Sequence, residues 1–179
     1  MIIRAIKESD ANTFLTLSRK LDEETSFMLY EPGERTMGVQ DQVKMIRTVQ
    51  KSGMIFVCEE GDELLGYILV DRKRLSRINH KAYIVIGILQ AHRGKGIGAK
   101  LFEMAERWAV EEDIHRLELT VMTHNEVAIA LYKKQGFQIE AQANIHWLLT
   151  GTMWTNTRWQ SYSKIKRGGL KWRLSKQRY

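Results

Sequence analysis

The stretch QAHRGKGIGAKLFEMAERW, Gln90 to Trp108, sets Gly94, Gly96 and Gly98 beside Arg93 and Lys95, then runs into apolar residues three and four apart. Residues of these types can hold an anion. Glycine lets the backbone approach a ligand closely and take positive φ. The first turn of a helix leaves its N–H groups unpaired, and the macrodipole adds positive character there. Arg93 and Lys95 add more. A glycine-rich turn alone would read as a solvated loop. A strand before it and a helix after it make it a cradle suited to a pyrophosphate. It is not a P-loop, because GxxxxGK[ST] is absent. It is not the dinucleotide fingerprint either: the glycines give GxGxG, and no βαβ unit opens the chain.

The surrounding elements must position this turn. AYIVIGIL, Ala82 to Leu89, is a nearly continuous β-branched run and predicts a central strand buried on both faces. The helix after the turn carries Leu101, Met104, Ala105, Trp108 and Ala109 on one side. Upstream, Ile2 to Ile6 predicts a short strand. Ser9 or Asp10 caps a helix to about Glu23, with Phe14, Leu15, Leu17 and Leu21 inward. SFMLYEPGERT, Ser26 to Thr36, is a loop with the only proline, Pro32. A second helix follows, about Gly38 to Lys51. MIFVCEEGDELLGYILVDR predicts an antiparallel hairpin turning at Glu60 to Glu63. Downstream, RLELTVM, Arg116 to Met122, alternates like a strand. NEVAIALYKKQGF is a helix capped by Asn125 and stopped by Gly136. The order β-α-α-β-β-β-α-β-α-β implies an α/β fold, a mixed sheet with helices on its faces.

A chain of 179 residues is one domain with room for a core. No apolar run approaches the roughly 20 residues of a membrane span, and MIIRAIKESD lacks a signal-peptide layout. The single cysteine, Cys58, lies in an apolar segment and reads as a buried strand thiol. These features predict a cytoplasmic protein. The five histidines show no metal-ligand spacing, so no metal is implied. The net charge of +7 invites a nucleic-acid reading, but its distribution argues against one. Ala141 to Tyr179 holds eight Lys/Arg and no Asp/Glu; the rest holds 20 Lys/Arg against 21 Asp/Glu, a sum of −1.

Two segments together carry a resemblance. Arg93-Gly94-Lys95-Gly96-Ile97-Gly98 matches the [QR]-x-x-G-x-[GA] signature of the GNAT superfamily of N-acetyltransferases, and Asn125 to Phe137 is similar to that family's N-x-x-A-x-x-L-Y-x-K-x-G-F segment. The resemblance covers about residues 2 to 140. It implies a mostly antiparallel central sheet and a chain that moves acetyl from acetyl-CoA to a primary amine by direct attack. It implies that the amides around Arg93, Gly94, Gly96, Ile97 and Gly98 bind pyrophosphate. Backbone groups of Ile88 and Leu89 would pair with the pantetheine arm between splayed fourth and fifth strands. Asn125 would contact the cofactor, and Tyr132 would stand near the thiol sulfur. A phenol, ordinarily titrating near 10, is protonated at neutral pH and can give a proton to the departing thiolate. Packing beside Leu131 and Phe137 is the plainer role for Tyr132. The loop YEPGERT, with Glu31, Glu34 and Arg35, borders the acceptor site in this family, and Glu31 is the candidate base. Glu118 reads as an outward strand carboxylate. Homodimers are common in the family. The acceptor is left open.

After Glu140 the pattern breaks. The last 39 residues lose alternation and carboxylates and hold four of the five tryptophans. The chain therefore divides into residues 1–140, an acetyl-CoA-binding domain, and 141–179, an atypical basic segment. A shift of reading frame would explain the break: codons can be chosen for Glu140 onward that read in the next frame as GTSKHTLAIDGNNVDEYSMAKL and a stop, which resembles the usual end of these enzymes. On that reading the end strands are lost, and the chain is an impaired enzyme or an inactive acetyl-CoA-binding remnant. The rival reading is a basic aromatic tail, Lys164 to Tyr179, that binds nucleic acid.

Overall fold

The computed structural model describes residues 1–72 and 75–144, then the strand residues 147–149, 152–154, 158–166 and 172–173, with side chains described as far as residue 141. The elements are β1 (Ile2–Ala5), α1 (Ala11–Glu24), α2 (Val39–Gln50), β2 (Met54–Glu60), β3 (Glu63–Arg72), β4 (Lys81–Ile88), α3 (Ile97–Glu111), β5 (Arg116–Met122), α4 (Glu126–Lys134) and β6 (Gln138–Asn144). Beyond them come β7 (Trp147–Leu149), β8 (Thr152–Trp154), β9 (Arg158–Lys166) and β10 (Trp172–Arg173). The main sheet runs β1-β2-β3-β4-β5-β9, with β6 and β10 also paired to β9. Every described pairing is antiparallel except β4 with β5.

Alternation along the hairpin divides the core between two faces. Phe56, Cys58, Ile68 and Val70 join Leu101, Phe102 and Ala105 of α3 and Tyr132 of α4. Ile55, Val57 and Tyr67 join Phe14, Leu17 and Leu21 of α1 and Ile46 of α2. Cys58 is fully buried, which pushes its thiol up and makes it a packing residue.

Three expectations change. β4 is not buried on both faces: Tyr83 is exposed, and Val85, Ile86 and Ile88 are half-buried. Tyr83 lies where β4 still pairs with β5, and Val85, Ile86 and Ile88 lie past the point where that pairing stops. The end of the chain does not leave β5 without a partner strand. Arg158–Lys166 pairs along the whole of β5, from Arg116↔Ile165 to Met122↔Trp159, and also with β6. A strand asks for backbone pairing and β-tolerant residues, and Trp159, Tyr162 and Ile165 supply the latter. Asp10 precedes α1 but its side chain does not cap that helix. Its carboxylate accepts from Arg4 Nη1 at 2.6 Å and from the Lys7 N–H at 2.7 Å, while Arg4 Nε reaches Glu59 Oε2 at 2.6 Å. One guanidinium thus joins β1, β2 and the start of α1.

Burial pushes the Asp10 carboxyl up, but the bonds from Arg4 and Lys7 outweigh it and hold the group below the usual aspartate range. Its contribution is therefore full above the unfolded pKa near 3.9 and is lost as pH falls through the lower folded value. Asp10→Asn should lose less stability than the parent over that acid interval in urea titrations at stepped pH. A second test concerns α2. Gln42 is wholly buried, and neither polar atom of its amide has a hydrogen-bond partner among the described residues. An unpaired buried amide costs about 1–3 kcal/mol. Gln42→Met, similar in length and apolar, should raise the unfolding free energy by about 1–2 kcal/mol in urea with an unchanged m-value.

Candidate active site

β4 and β5 run parallel but pair only at Lys81↔Arg116, Ala82↔Leu117 and Tyr83↔Glu118. β4 continues to Ile88 and β5 to Met122, so the strands start together and end apart. Which groups face the gap follows from strand alternation. Leu89 N–H donates to Leu65 O at 3.0 Å, on the β3 side, and Leu89 O accepts from His92 N. By parity Ile86 and Ile88 turn their backbone groups toward β5, into the gap. The sequence expectation named two consecutive residues, Ile88 and Leu89. One edge can present only alternate residues, so Leu89 is replaced by Ile86.

At the end of β4 the chain makes a short 3₁₀ turn, Gln90–His92, and enters the glycine segment. Arg93 N–H donates to Gln90 O at 3.2 Å, and Arg93 Nε donates to Ile88 O at 3.0 Å. The amide of Arg93 is therefore spent on the turn, and its side chain braces the strand end. Gly94 and Gly96 sit at φ +75° and +79°, with open space where a Cβ would be. Only glycine takes that backbone cheaply. Gly96 is the N-cap of α3, and Lys100 N–H to Gly96 O at 3.2 Å closes the first turn. The amides of Ile97, Gly98 and Ala99 precede it and have no carbonyl behind them.

Gly98 joins three elements. A Cβ there would lie 2.8 Å from Leu131 Cδ2 and 3.3 Å from Ile88 Cδ1. The bare α-carbon lets α3, the end of β4 and α4 close on one another. Tyr132, the next residue along α4, is 7% exposed and meets Phe102 edge-on, with centroids 6.0 Å apart. It also stands beside Phe137 at 6.2 Å. Asn125 caps α4: its Oδ1 accepts from Ala128 N–H at 3.2 Å.

The α1–α2 loop lies on the opposite face. Glu24, at the end of α1, accepts the Gln90 N–H on Oε2 at 2.7 Å, directly past β4. The Phe27 ring stands 5.2 Å from His124, directly past β5. Residues 24–27 therefore touch the ends of both diverging strands. A Cβ on Gly87 of β4 would meet Leu21 Cδ1, Tyr67 Cε1 and Met28 Cε, so these side chains converge over the strand just before Ile88. Arg35 anchors the loop. Its Nε and Nη2 donate to Asp22 Oδ2 and Oδ1 at 2.6 and 3.1 Å, and its Cζ sits 4.3 Å from the Tyr30 ring centre. Burial pushes the Tyr67 phenol beside this pair up to about 12.

Glu31, the base expected from sequence, lies half-buried in the α1–α2 loop, where its N–H donates to Glu34 Oε2 at 2.9 Å. Glu118 pairs with Arg116 and with Lys81 at 3.4 Å, as an outward strand carboxylate. Two residues escaped the sequence reading. Glu24 carried no signal, since its partner is a backbone amide 66 residues away. Asp22 carried one: it follows Ser18 by four and Leu21 by one, a carboxylate within the buried stripe of α1.

The model of the Acetyltransferase (GNAT) family matches residues 18–137, more than half of the chain. An L-amino acid N-acetyltransferase of Escherichia coli K12 is 31% identical over 101 residues, 54% of this chain and 60% of that protein. A spermidine N(1)-acetyltransferase of the same strain is 28% identical over 137 residues, covering 74% of this chain and 72% of that one. The chain thus spans less than two thirds of the amino acid enzyme. Among solved structures, a GNAT-family acetyltransferase of Streptococcus pneumoniae superposes with TM-score 0.85 at 22% identity, over 92% of this chain and 99% of that one. A Salmonella typhimurium structure described as a putative acetyltransferase with its cofactor acetyl-CoA superposes at 0.75 and 19% identity, over 90% and 91%. By the family match and the shared fold, this chain belongs to the GNAT family of acetyltransferases.

Proposed function

We propose that the chain transfers acetyl from acetyl-CoA to a primary amine by direct attack. The observation that carries this is the pairing of β4 with β5 for three residues only, with the gap opening at the glycine turn of α3. The site fits the cofactor. Gly94 and Gly96 leave space above a left-handed backbone, and the first-turn amides of α3 suit a pyrophosphate. The gap-facing edge of β4, Ile86 and Ile88, suits an extended amide-bearing arm added as a strand would be. Bound acetyl-CoA supplies a thioester whose leaving group is a thiolate.

The chain's own residues do the rest. Gly94, Gly96, Ile97 and Gly98 hold the phosphates through their amides, and Asn125 borders the arm. Tyr132 gives its phenolic proton from Oη to the departing sulfur. Glu31 takes the proton that the amine loses. The acceptor arrives from the α1–α2 face, opposite α3. Residues 1–140 carry the cofactor groups, and Arg158–Lys166 extends the sheet beside β5 and β6. The frame-shift reading of residues 141–179 is kept as part of the proposal and is checked by sequencing the gene. Among the described residues no helix is long and apolar enough to cross a membrane.

Calorimetric titration with acetyl-CoA should show one site. Gly96→Glu should abolish it, because a side chain at φ +79° is strained and its carboxylate repels phosphate. Binding retained by that variant would place the cofactor elsewhere. Tyr132→Phe should lower turnover by about 10²-fold or more while acetyl-CoA affinity stays within twofold. Turnover equal to the parent's would remove the assignment.

A further inference from the structure

The bidentate pair Asp22–Arg35 is mounted where the acceptor must enter. The Asp22 side chain is 2% exposed and that of Arg35 12%, so the pair is largely withdrawn from water. An ion pair so placed is weak grounds for stability alone, because desolvation offsets much of the attraction. Its position is more informative. Asp22 belongs to α1, two residues before Glu24; Arg35 belongs to the far limb of the loop. Arg19 Nη2 adds a second tie, to Met37 O at 3.1 Å. Between these anchors the chain reaches across the open end of the gap, Glu24 on the β4 side and Phe27 on the β5 side, with Met28 over Gly87.

We propose that Asp22 and Arg35 are positioning residues that clasp the loop of residues 25–37 as a roof over the gap, and that this clasp sets which amine reaches the thioester and keeps water from it. The inference rests on the acetyltransferase reading. A roof tied at both limbs holds Phe27 and Met28 in fixed places, and a small misplacement of a positioning element costs acceptor selection before it costs cofactor binding. The fork geometry matters: a lysine can keep the charge but cannot make two parallel bonds to one carboxylate.

The test uses the full chain and the variants Arg35→Lys, Asp22→Asn and Arg35→Ala. Three readouts are taken: acetyl-CoA affinity by calorimetry, amide exchange along the loop, and CoA release from acetyl-CoA with water alone, with L-methionine and with spermidine. In each variant that folds, exchange across residues 25–37 should rise about tenfold while that of α3 stays unchanged. Release to water should rise severalfold, and KM for the amine accepted should rise about tenfold or more, with acetyl-CoA affinity within twofold. Arg35→Lys should recover only part of each loss. Unchanged loop exchange would overturn the clasp. Faster exchange with unaltered KM and unaltered water leakage would overturn its role in acceptor selection. A parent chain that binds no acetyl-CoA would instead overturn the acetyltransferase reading, and with it the role of the pair.

Discussion

Two parallel strands that stay together for only three residues leave an unusual debt of hydrogen bonds. Past Tyr83 and Glu118, the backbone groups of Ile86 and Ile88 turn toward a partner that has moved away. A buried backbone group without a partner costs about 1–3 kcal/mol, so such an edge needs water, a side chain or a ligand. Arg93 Nε meets part of the need at Ile88 O. The remainder is a template for one extended chain. The position of the glycine turn follows from this divergence. The strand end aims α3 at the mouth of the gap, and the missing Cβ of Gly98 lets α4 close beside it with Tyr132.

The sequence carried what is local. Glycine at left-handed positions, a capping asparagine and the 3.6-residue stripe of α3 all depend on neighbours within a few residues. Their positions could therefore be read directly from patterns such as RGKGIG and NEVAIAL. What is non-local was hidden. The parity of β4 is set by the Leu65–Leu89 bond to another strand, so Leu89 was taken for a gap-facing residue when Ile86 is one. Arg93 was counted as an amide donor because the 3₁₀ turn that consumes its N–H is invisible in a one-dimensional pattern. Ser9 or Asp10 was expected to cap α1, but the Asp10 carboxylate is taken up by Arg4 of β1 and the Lys7 N–H. In the segment after Glu140 the strand pairing was hidden by composition: pairing is a backbone property and tolerates the loss of carboxylates.

The two faces of the sheet are used differently, and the difference is physical. On the proposed reading, recognition on the α3 face falls to backbone amides, which are fixed by helix and turn geometry and cannot be replaced by choosing other side chains. The α1–α2 face instead carries side chains held by a loop: a guanidinium fork, a stacked tyrosine and a phenylalanine on a histidine. Amide recognition suits a group that never changes, such as a pyrophosphate. Side-chain recognition can be altered residue by residue while the sheet stands. Buried charge on the second face is consistent with that division: Asp22 and Arg35 neutralise one another out of water, and a single change to either leaves its partner buried and unpaired. On the proposed reading the fold fixes the donor side through geometry and leaves the acceptor side to a few loop contacts, so that a fold identifies a family and not its amine.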